Sequence, residues 1–260
     1  LKFVDTMLKD GLMDAFHGYH MGNTAENIAK QWQITREQQD QFAAASQNKA
    51  EAATKAGRFK DEMIPVTIKT RKGDVTVDRD EHIKEGVTAE GLSSLRPAFD
   101  KEGSVTAGNA SGINDGAAAL IIGSQEAGEK AGVRPRARIV SSAIAGVAPR
   151  VMGYGPVPSS EKALARAGLS VDDMDVIEIN EAFAAQVLGC TTRLGLDATD
   201  PRLNPNGGAI AVGHPLGASG ARIALTATRQ LEQVEGRYAL ISMCIGVGQG
   251  VAAVLERVSD

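Results

Sequence analysis

Asn204-Pro205-Asn206-Gly207-Gly208-Ala209-Ile210-Ala211-Val212-Gly213-His214-Pro215-Leu216-Gly217-Ala218-Ser219-Gly220-Ala221-Arg222 gathers five glycines and two prolines around one histidine. Glycine reaches backbone angles that other residues avoid and lets a second backbone or a ligand approach closely. Pro215 fixes the chain just after His214 and removes a donor there. A solvent loop has no need of so many small residues around an imidazole, whereas a small-walled cleft presenting one base does. A second small-walled loop follows, Cys244-Ile245-Gly246-Val247-Gly248-Gln249-Gly250. Together the two loops suggest one acid/base site.

Working outward, Ala218 or Ser219 begins a helix that runs to Gln233, and Ala239 to Met243 and Val251 to Leu255 read as closing strands. Upstream, Ile139 to Val147 and Val176 to Ile179 are strand-like. Ser159 is expected to cap a helix ending at Ala167, with Gly168 as its stop, and Glu181 to Leu194 is a helix closed by Gly195. This alternation predicts an α/β fold with helices covering a mixed sheet. Ligands in open α/β sheets sit beyond strand C-termini. Asn180 and Cys244 both occupy such positions.

The first hundred residues are richer in polar and charged side chains. Asn23 with Glu26, and Thr35 with Gln38, have the spacing of capping boxes, the second opening a helix over Gln39 to Ala56 with Gly57 as its stop. Ile64 to Lys69 and Asp74 to Asp78 read as strands joined by Arg71-Lys72-Gly73. Lys69, Arg71, Lys72, Arg79 and Lys84 form a scattered basic group, either a solvated face or an edge that meets a phosphate-bearing ligand. Ala117 to Ile122 is an apolar run expected as a buried strand. Gln125 to Ala131 is a helix closed by Gly132, and Pro135 marks a domain boundary.

Composition narrows the function classes. The 260 residues are 43% hydrophobic and 23% charged, which reads as globular. Aromatics at 4% and a formal charge of -4 argue against a nucleic-acid surface. No long apolar span and no signal-peptide pattern is seen, so no membrane partner is expected. Two cysteines, Cys190 and Cys244, build no disulfide framework and no metal spacing, and they fit a reducing, cytoplasmic compartment. The chain opens Leu1-Lys2-Phe3-Val4-Asp5, without methionine, and reads as a fragment or a processed piece.

Each candidate has a plainer alternative. Cys190 shares helical spacing with Phe183, Val187 and Leu194, so it reads as a buried core thiol. Cys244 ends an apolar strand and enters a glycine loop. Its thiol, ordinarily near ~8.5, could be lowered by backbone donors or an imidazolium, or it could be simply packed. His214 has no apolar stripe to join and reads as a general base. Asn180 is either a helix N-cap or an oxyanion-site amide. His20 is ambiguous, and His17 and His82 are expected at the surface. A phosphate-binding reading of the opening stretch fails because it lacks both the P-loop ending and the dinucleotide spacing.

Asn180-Glu181-Ala182-Phe183-Ala184, the long histidine stretch and Cys244-Ile245-Gly246-Val247-Gly248 resemble, in that order, three C-terminal motifs of the thiolases. Thr106-Ala107-Gly108-Asn109-Ala110-Ser111-Gly112 and His20-Met21-Gly22 are also similar, the latter to the short-chain acetyl-CoA acetyltransferases. The resemblance covers essentially the whole chain. It implies a layered αβαβα fold with an inserted loop domain: residues 1–101 as most of the loop domain, 102–134 as the end of the N-terminal half, and 135–260 as the C-terminal half. It further implies condensation of two acetyl-CoA to acetoacetyl-CoA plus CoA, or the reverse thiolysis, through an acyl-cysteine. No cofactor beyond coenzyme A thioesters is implied, and a homo-oligomer, dimer or tetramer, is.

By motif match, His214 activates the nucleophile and Cys244 handles the α-carbon proton. Asn180 and His214 form one oxyanion site, and the backbone N–H of Gly246 contributes to the other. CoA contacts fall on Leu12, His20, Met21, Phe99, Ala107, Ser111, Ala182 and Phe183, with Met21 limiting the acyl pocket. Lys84 stands where an arginine near the adenine is common, keeping the charge and losing planar stacking. Val247 stands where a glycine is common. The family's nucleophilic cysteine precedes the loop domain, and neither Cys190 nor Cys244 has that place, so the chain is expected to lack it. Two other readings stay open: a non-catalytic CoA-binding or assembly module, and a hydrolase or lyase using His214 and Cys244 alone.

Overall fold

Mostly apolar segments of the second half become the strands of one sheet. The computed structural model describes residues 3–258, so Leu1 and Lys2 of the opening stretch, and residues 259–260 of the expected C-terminal half, lie outside the described residues. In chain order come α1 (Met21–Gln31), α2 (Arg36–Lys55), β1 (Val66–Thr70), β2 (Gly73–Val77), α3 (Ala89–Ser93) and α4 (Gln125–Ala131). They are followed by β3 (Ala137–Gly146), α5 (Pro156–Ala167), β4 (Val176–Ile179), α6 (Ala184–Leu194) and α7 (Ala209–Val212). The chain closes with α8 (Ser219–Gln233), β5 (Tyr238–Ile245) and β6 (Gln249–Arg257).

The sheet order is β3-β6-β5-β4. β4 and β5 run parallel, with Val176 opposite Ala239 and Ile179 opposite Ser242, and the other pairs are antiparallel. Strand alternation sorts the side chains onto two faces. Ile177, Ile179, Leu240 and Val254 pack with Val157, Leu164, Val187 and Cys190 of α5 and α6. Val176, Ala239 and Leu255 pack with Ala227 and Leu231 of α8. Each fully buried Leu or Ile contributes roughly 1.5–3 kcal/mol. Helices on both faces of a mixed sheet are the architecture that the alternation predicts.

Helix α2 docks on the same core through Phe42 and Ala43. Its N-terminus has the expected capping box: Thr35 Oγ1 accepts from Gln38 N, and Gln38 Oε1 accepts from Thr35 N. β1 and β2 form an antiparallel hairpin whose residues are all exposed.

Several expectations are corrected. Ala117–Ile122 is neither strand nor buried: Ile121 is 101% exposed. An extended apolar run needs a neighbour to complete its ladder, and no described strand pairs with it. α1 begins two residues before Asn23, capped by His20, whose Nδ1 accepts from Gly22 N at 3.0 Å. Glu26 is no capping partner; it accepts from Ser104 N and Val105 N. α5 starts at Pro156 and not after Ser159, because proline suits the first helical turn. α6 starts at Ala184, so Phe183 and not Asn180 is its N-cap. His82 is half-buried, its ring 2.5 Å from where a Cβ on Gly112 would lie.

Candidate active site

β4 delivers the first group. Asn180 N donates to Ser242 O at 2.9 Å, extending the parallel ladder by one residue, and the chain then leaves the sheet. Released from capping α6, the Asn180 side chain is buried, and its Nδ2 lies 3.4 Å from His214 Nε2. Asn180 Oδ1 has no hydrogen-bond partner among the described residues.

The histidine is placed by a turn that only small residues permit. α7 ends at Gly213, at φ +96°, where a Cβ would lie 2.6 Å from the Asn114 side chain. Asn114 Oδ1 accepts from His214 N at 3.2 Å. Pro215 O then accepts from Ala218 N and Ser219 N, which folds the chain into α8 and brings Ser219 Oγ within 2.6 Å of His214 Nδ1. Burial, aided by the Arg222 charge, pulls the imidazole down to about 4. The ring is therefore neutral at physiological pH, the state a general base requires.

Glu181 pins this loop from behind. It accepts from Ser46 Oγ (2.6 Å) on α2, Asn204 Nδ2 (2.8 Å) and Ile210 N (3.1 Å). A Cβ on Gly208 would stand 2.3 Å from its carboxyl carbon, so the glycine is obligatory at this crossing.

β5 carries the third group. Cys244 pairs with Gly250 across β5 and β6, and the turn between them passes through Gly246, Val247 and Gly248. Gly250 is forced by crowding, since a Cβ there would lie 2.0 Å from Gly155 O. Burial pushes the Cys244 thiol up to about 12, the reverse of the lowering that the loop's backbone donors suggest. Cys190 is structural: its Sγ donates to Gly153 O at 3.3 Å inside the core.

Most sequence-named contacts converge here. Met21, Ala182, Phe183 and Cys244 share one buried cluster, with Phe99 packed against it. His20 stacks on Phe99 at 4.6 Å, and Phe99 meets Phe183 edge-on at 6.1 Å. The tip of Met21 covers Gly246, its Cε 2.7 Å from where a Cβ would be. Ser111 N and Oγ both donate to Ala182 O. Leu12 lies between Gly11, which abuts Leu216, and Met13, which bridges His20. Ala107 is exposed, following the buried Thr106.

Lys84 stands apart from this cluster: its backbone N donates to Gln47 Oε1, its side chain is exposed, and Gln47 Nε2 donates to Ile210 O of α7. Sequence reasoning missed Asn114, Ser219 and Glu181 as supports of the site. Only Ser219 had a local signal, a hydroxyl at the mouth of the helix that follows His214.

Residues 1–126 match the thiolase N-terminal domain, and residues 133–257 match the thiolase C-terminal domain. The chain belongs to the thiolase family. It is 58% identical, over 98% of its length, to an acetyl-CoA acetyltransferase of Shinella zoogloeoides. The match takes in 64% of that relative, so the chain spans about two thirds of its length. Its fold is the thiolase fold. The crystal structure of the Bacillus anthracis acetyl-CoA acetyltransferase superposes with a TM-score of 0.94 at 43% identity, covering 99% of this chain and 66% of that one. Human mitochondrial 3-ketoacyl-CoA thiolase superposes with the same TM-score, 0.94, at 47% identity, covering 99% of this chain and 64% of that one.

Proposed function

We propose that the whole protein is an acetyl-CoA C-acetyltransferase, condensing two acetyl-CoA to acetoacetyl-CoA plus CoA or cleaving it in reverse. The observation that carries this reading is the placement of a neutral His214 Nε2 against Asn180 Nδ2 at 3.4 Å. In the first step His214 Nε2 takes the proton of a nucleophilic thiol, the thiolate attacks the thioester carbonyl, and the bond to CoA breaks; the leaving CoA thiolate takes the Cys244 proton, which leaves Cys244 ionised and His214 protonated. Cys190 is spent on the core and Cys244 ends β5 in the role described next. The acyl-accepting thiol is accordingly assigned to residues outside these 260.

In the second step the Cys244 thiolate removes a proton from the methyl of a second acetyl-CoA, the resulting carbanion attacks the acyl carbonyl, and the acyl–cysteine bond breaks, its thiolate taking back the proton held on His214. A thiol raised to about 12 gives a strong base once ionised and stays protonated otherwise, ready to return its proton to a leaving CoA thiolate. Asn180 with His214, and Gly246 N–H, supply donors where the oxyanions develop.

His20, Met21, Phe99, Ala182, Phe183 and Ser111 would line the pantetheine channel with Leu12 and Ala107, and Lys84 would face the adenine nucleotide. No cofactor is required. The domain division at about residues 101 and 134 is kept. A homo-oligomer, dimer or tetramer, is supported by the exposed β1–β2 hairpin, which shows Val66, Ile68, Val75 and Val77 to solvent. A cytoplasmic location and a place in fatty acid metabolism are part of this reading. No helix among the described residues is long and apolar enough to cross a membrane.

The deciding experiment is thiolysis of acetoacetyl-CoA by the whole protein, followed by thioester absorbance. His214→Ala should lower kcat by about 10²–10⁴-fold. A variant that is folded and near wild type in rate would sink the mechanism.

A further inference from the structure

Residues 109–116 belong to no helix and to no strand of the sheets, yet they are fastened beside both members of the Asn180–His214 pair. At one end they run antiparallel to residues 182–184. Ala184 N donates to Asn109 O at 2.9 Å, Ala110 bridges Phe183, and Ser111 N and Oγ donate to Ala182 O at 3.0 and 3.1 Å. At the other end they reach the histidine loop, where Asn114 Oδ1 accepts from His214 N at 3.2 Å. A Cβ on Gly213 would lie 2.6 Å from the Asn114 carboxamide carbon, and a Cβ on Gly116 would lie 2.6 Å from Pro215 Cγ. The segment thus touches His214 and both of its chain neighbours.

α7 ends at Gly213, whose N donates to Ala209 O, and the glycine then turns out of the helix at φ +96° and ψ 164°. His214 N is left pointing away from the helical carbonyls, and Pro215 carries no N–H to share the load. Asn114 Oδ1 takes that donor. The imidazole therefore has two anchors. Ser219 Oγ, 2.6 Å from Nδ1, sets how the ring is turned, and Asn114 sets where its backbone stands. Ala182 lies two residues beyond Asn180, and Ser111 lies three residues before Asn114. One short segment accordingly gauges the distance between the end of β4 and the histidine loop.

We propose that Asn114 is a positioning residue for the base: with Oδ1 on His214 N, and with its segment fastened to Ala182 by Ser111, it holds His214 Nε2 within reach of Asn180 Nδ2. The proposal rests on the reading of His214 as the base. A reacting group displaced by about 1 Å loses on the order of 10²-fold in rate. Asn114 is not one of the residues assigned to the pantetheine channel, so its loss falls on proton transfer and not on binding.

The test uses the whole protein in steady-state thiolysis of acetoacetyl-CoA, with Asn114→Ala, Asn114→Asp and His214→Ala side by side. Asn114→Ala removes the acceptor and should lower kcat about 10- to 100-fold, with KM within about twofold of wild type. Asn114→Asp keeps an acceptor oxygen and should recover most of that loss. Deuterium uptake in a peptide across residues 209–216 should rise in Asn114→Ala and stay near wild type in Asn114→Asp. A wild-type kcat in Asn114→Ala would overturn the proposal. So would an Asn114→Asp enzyme as slow as Asn114→Ala, which would put the role in packing against Gly213 and not in the accepted bond. Loss of the folded state in both variants would make the residue structural and overturn it as well. A slow His214→Ala beside a fast Asn114→Ala strikes this proposal alone, whereas a fast His214→Ala strikes the reading of His214 as the base and this proposal with it.

Discussion

His214 Nδ1 lies 2.6 Å from Ser219 Oγ, and the same hydroxyl donates to Pro215 O at 3.0 Å. A hydroxyl has one proton. With that proton on Pro215 O, Ser219 accepts from Nδ1–H, which fixes the neutral tautomer with its lone pair on Nε2, toward Asn180. Ser219→Ala frees the ring to rotate and to exchange tautomers. In the whole enzyme kcat should fall about 10- to 100-fold with KM nearly unchanged, because the loss is in proton transfer and not in binding. Steady-state thiolysis of acetoacetyl-CoA measures both. An unchanged kcat would mean that another group sets the tautomer.

Glu178 should give stability a downward slope with pH. Its folded-state value is raised to about 8, and that of Glu62 to about 7, so the native state holds more protons than the unfolded state from about pH 4.5 up to those values. Stability then falls as pH rises through this window. His214 works oppositely: lowered to about 4, it makes stability rise between about pH 4 and 6.5. Glu178→Gln removes one carboxyl from the descending limb and should gain on wild type by a few kcal/mol between pH 5 and 9. Urea midpoints at pH 5, 7 and 9 decide this, and parallel curves for the two proteins would refute it.

Local chemistry was legible in the sequence, and long-range pairing was not. Thr35 with Gln38 fixes the start of α2 by itself, and Gly132, Gly168 and Gly195 each end a helix at positive φ, as their position after an amphipathic run predicts. β4 announces itself as a short run that is apolar but for Glu178, and it is buried throughout. The meeting of Asn180 and His214, 34 residues apart, is a tertiary event that no spacing encodes, and it was reachable only through the motif resemblance. Ala117–Ile122 failed for the converse reason: its pattern is strand-like, yet a strand depends on neighbours that its own residues do not specify.

Met21 is expected to set the acyl-chain limit. Its tip rests on Gly246, in the same cluster as Cys244 and Phe183. Met21→Ala removes that cap and leaves space in the cluster beside the Cys244 loop. The kcat/KM ratio of 3-ketohexanoyl-CoA to acetoacetyl-CoA should rise about 10-fold or more, the scale on which a pocket discriminates one or two methylenes. A ratio unchanged in an active variant would place the limit elsewhere.

Val247 and Gly248 are adjacent left-handed residues whose substitutions should act with opposite signs. Val247 has φ +69°, a conformation that crowds a β-branched side chain against its own carbonyl, and it is 49% exposed, so little packing offsets that strain. The left-handed region costs a non-glycine residue about 1–2 kcal/mol, and glycine forfeits about 0.5–1 kcal/mol in added unfolded-state freedom. Val247→Gly should therefore stabilise the chain by up to about 1 kcal/mol. Gly248, at φ +84°, has no such latitude: a Cβ there would lie 2.3 Å from Val147 O, which accompanies the backbone bond from Val147 N to Gly248 O at 2.8 Å. Gly248→Ala must break that backbone contact or shift the turn, and should lower stability by more than about 1 kcal/mol. Chemical denaturation of the two variants beside wild type reads both signs. A loss on Val247→Gly would show that the valine side chain contributes more through its contacts than its backbone strain costs.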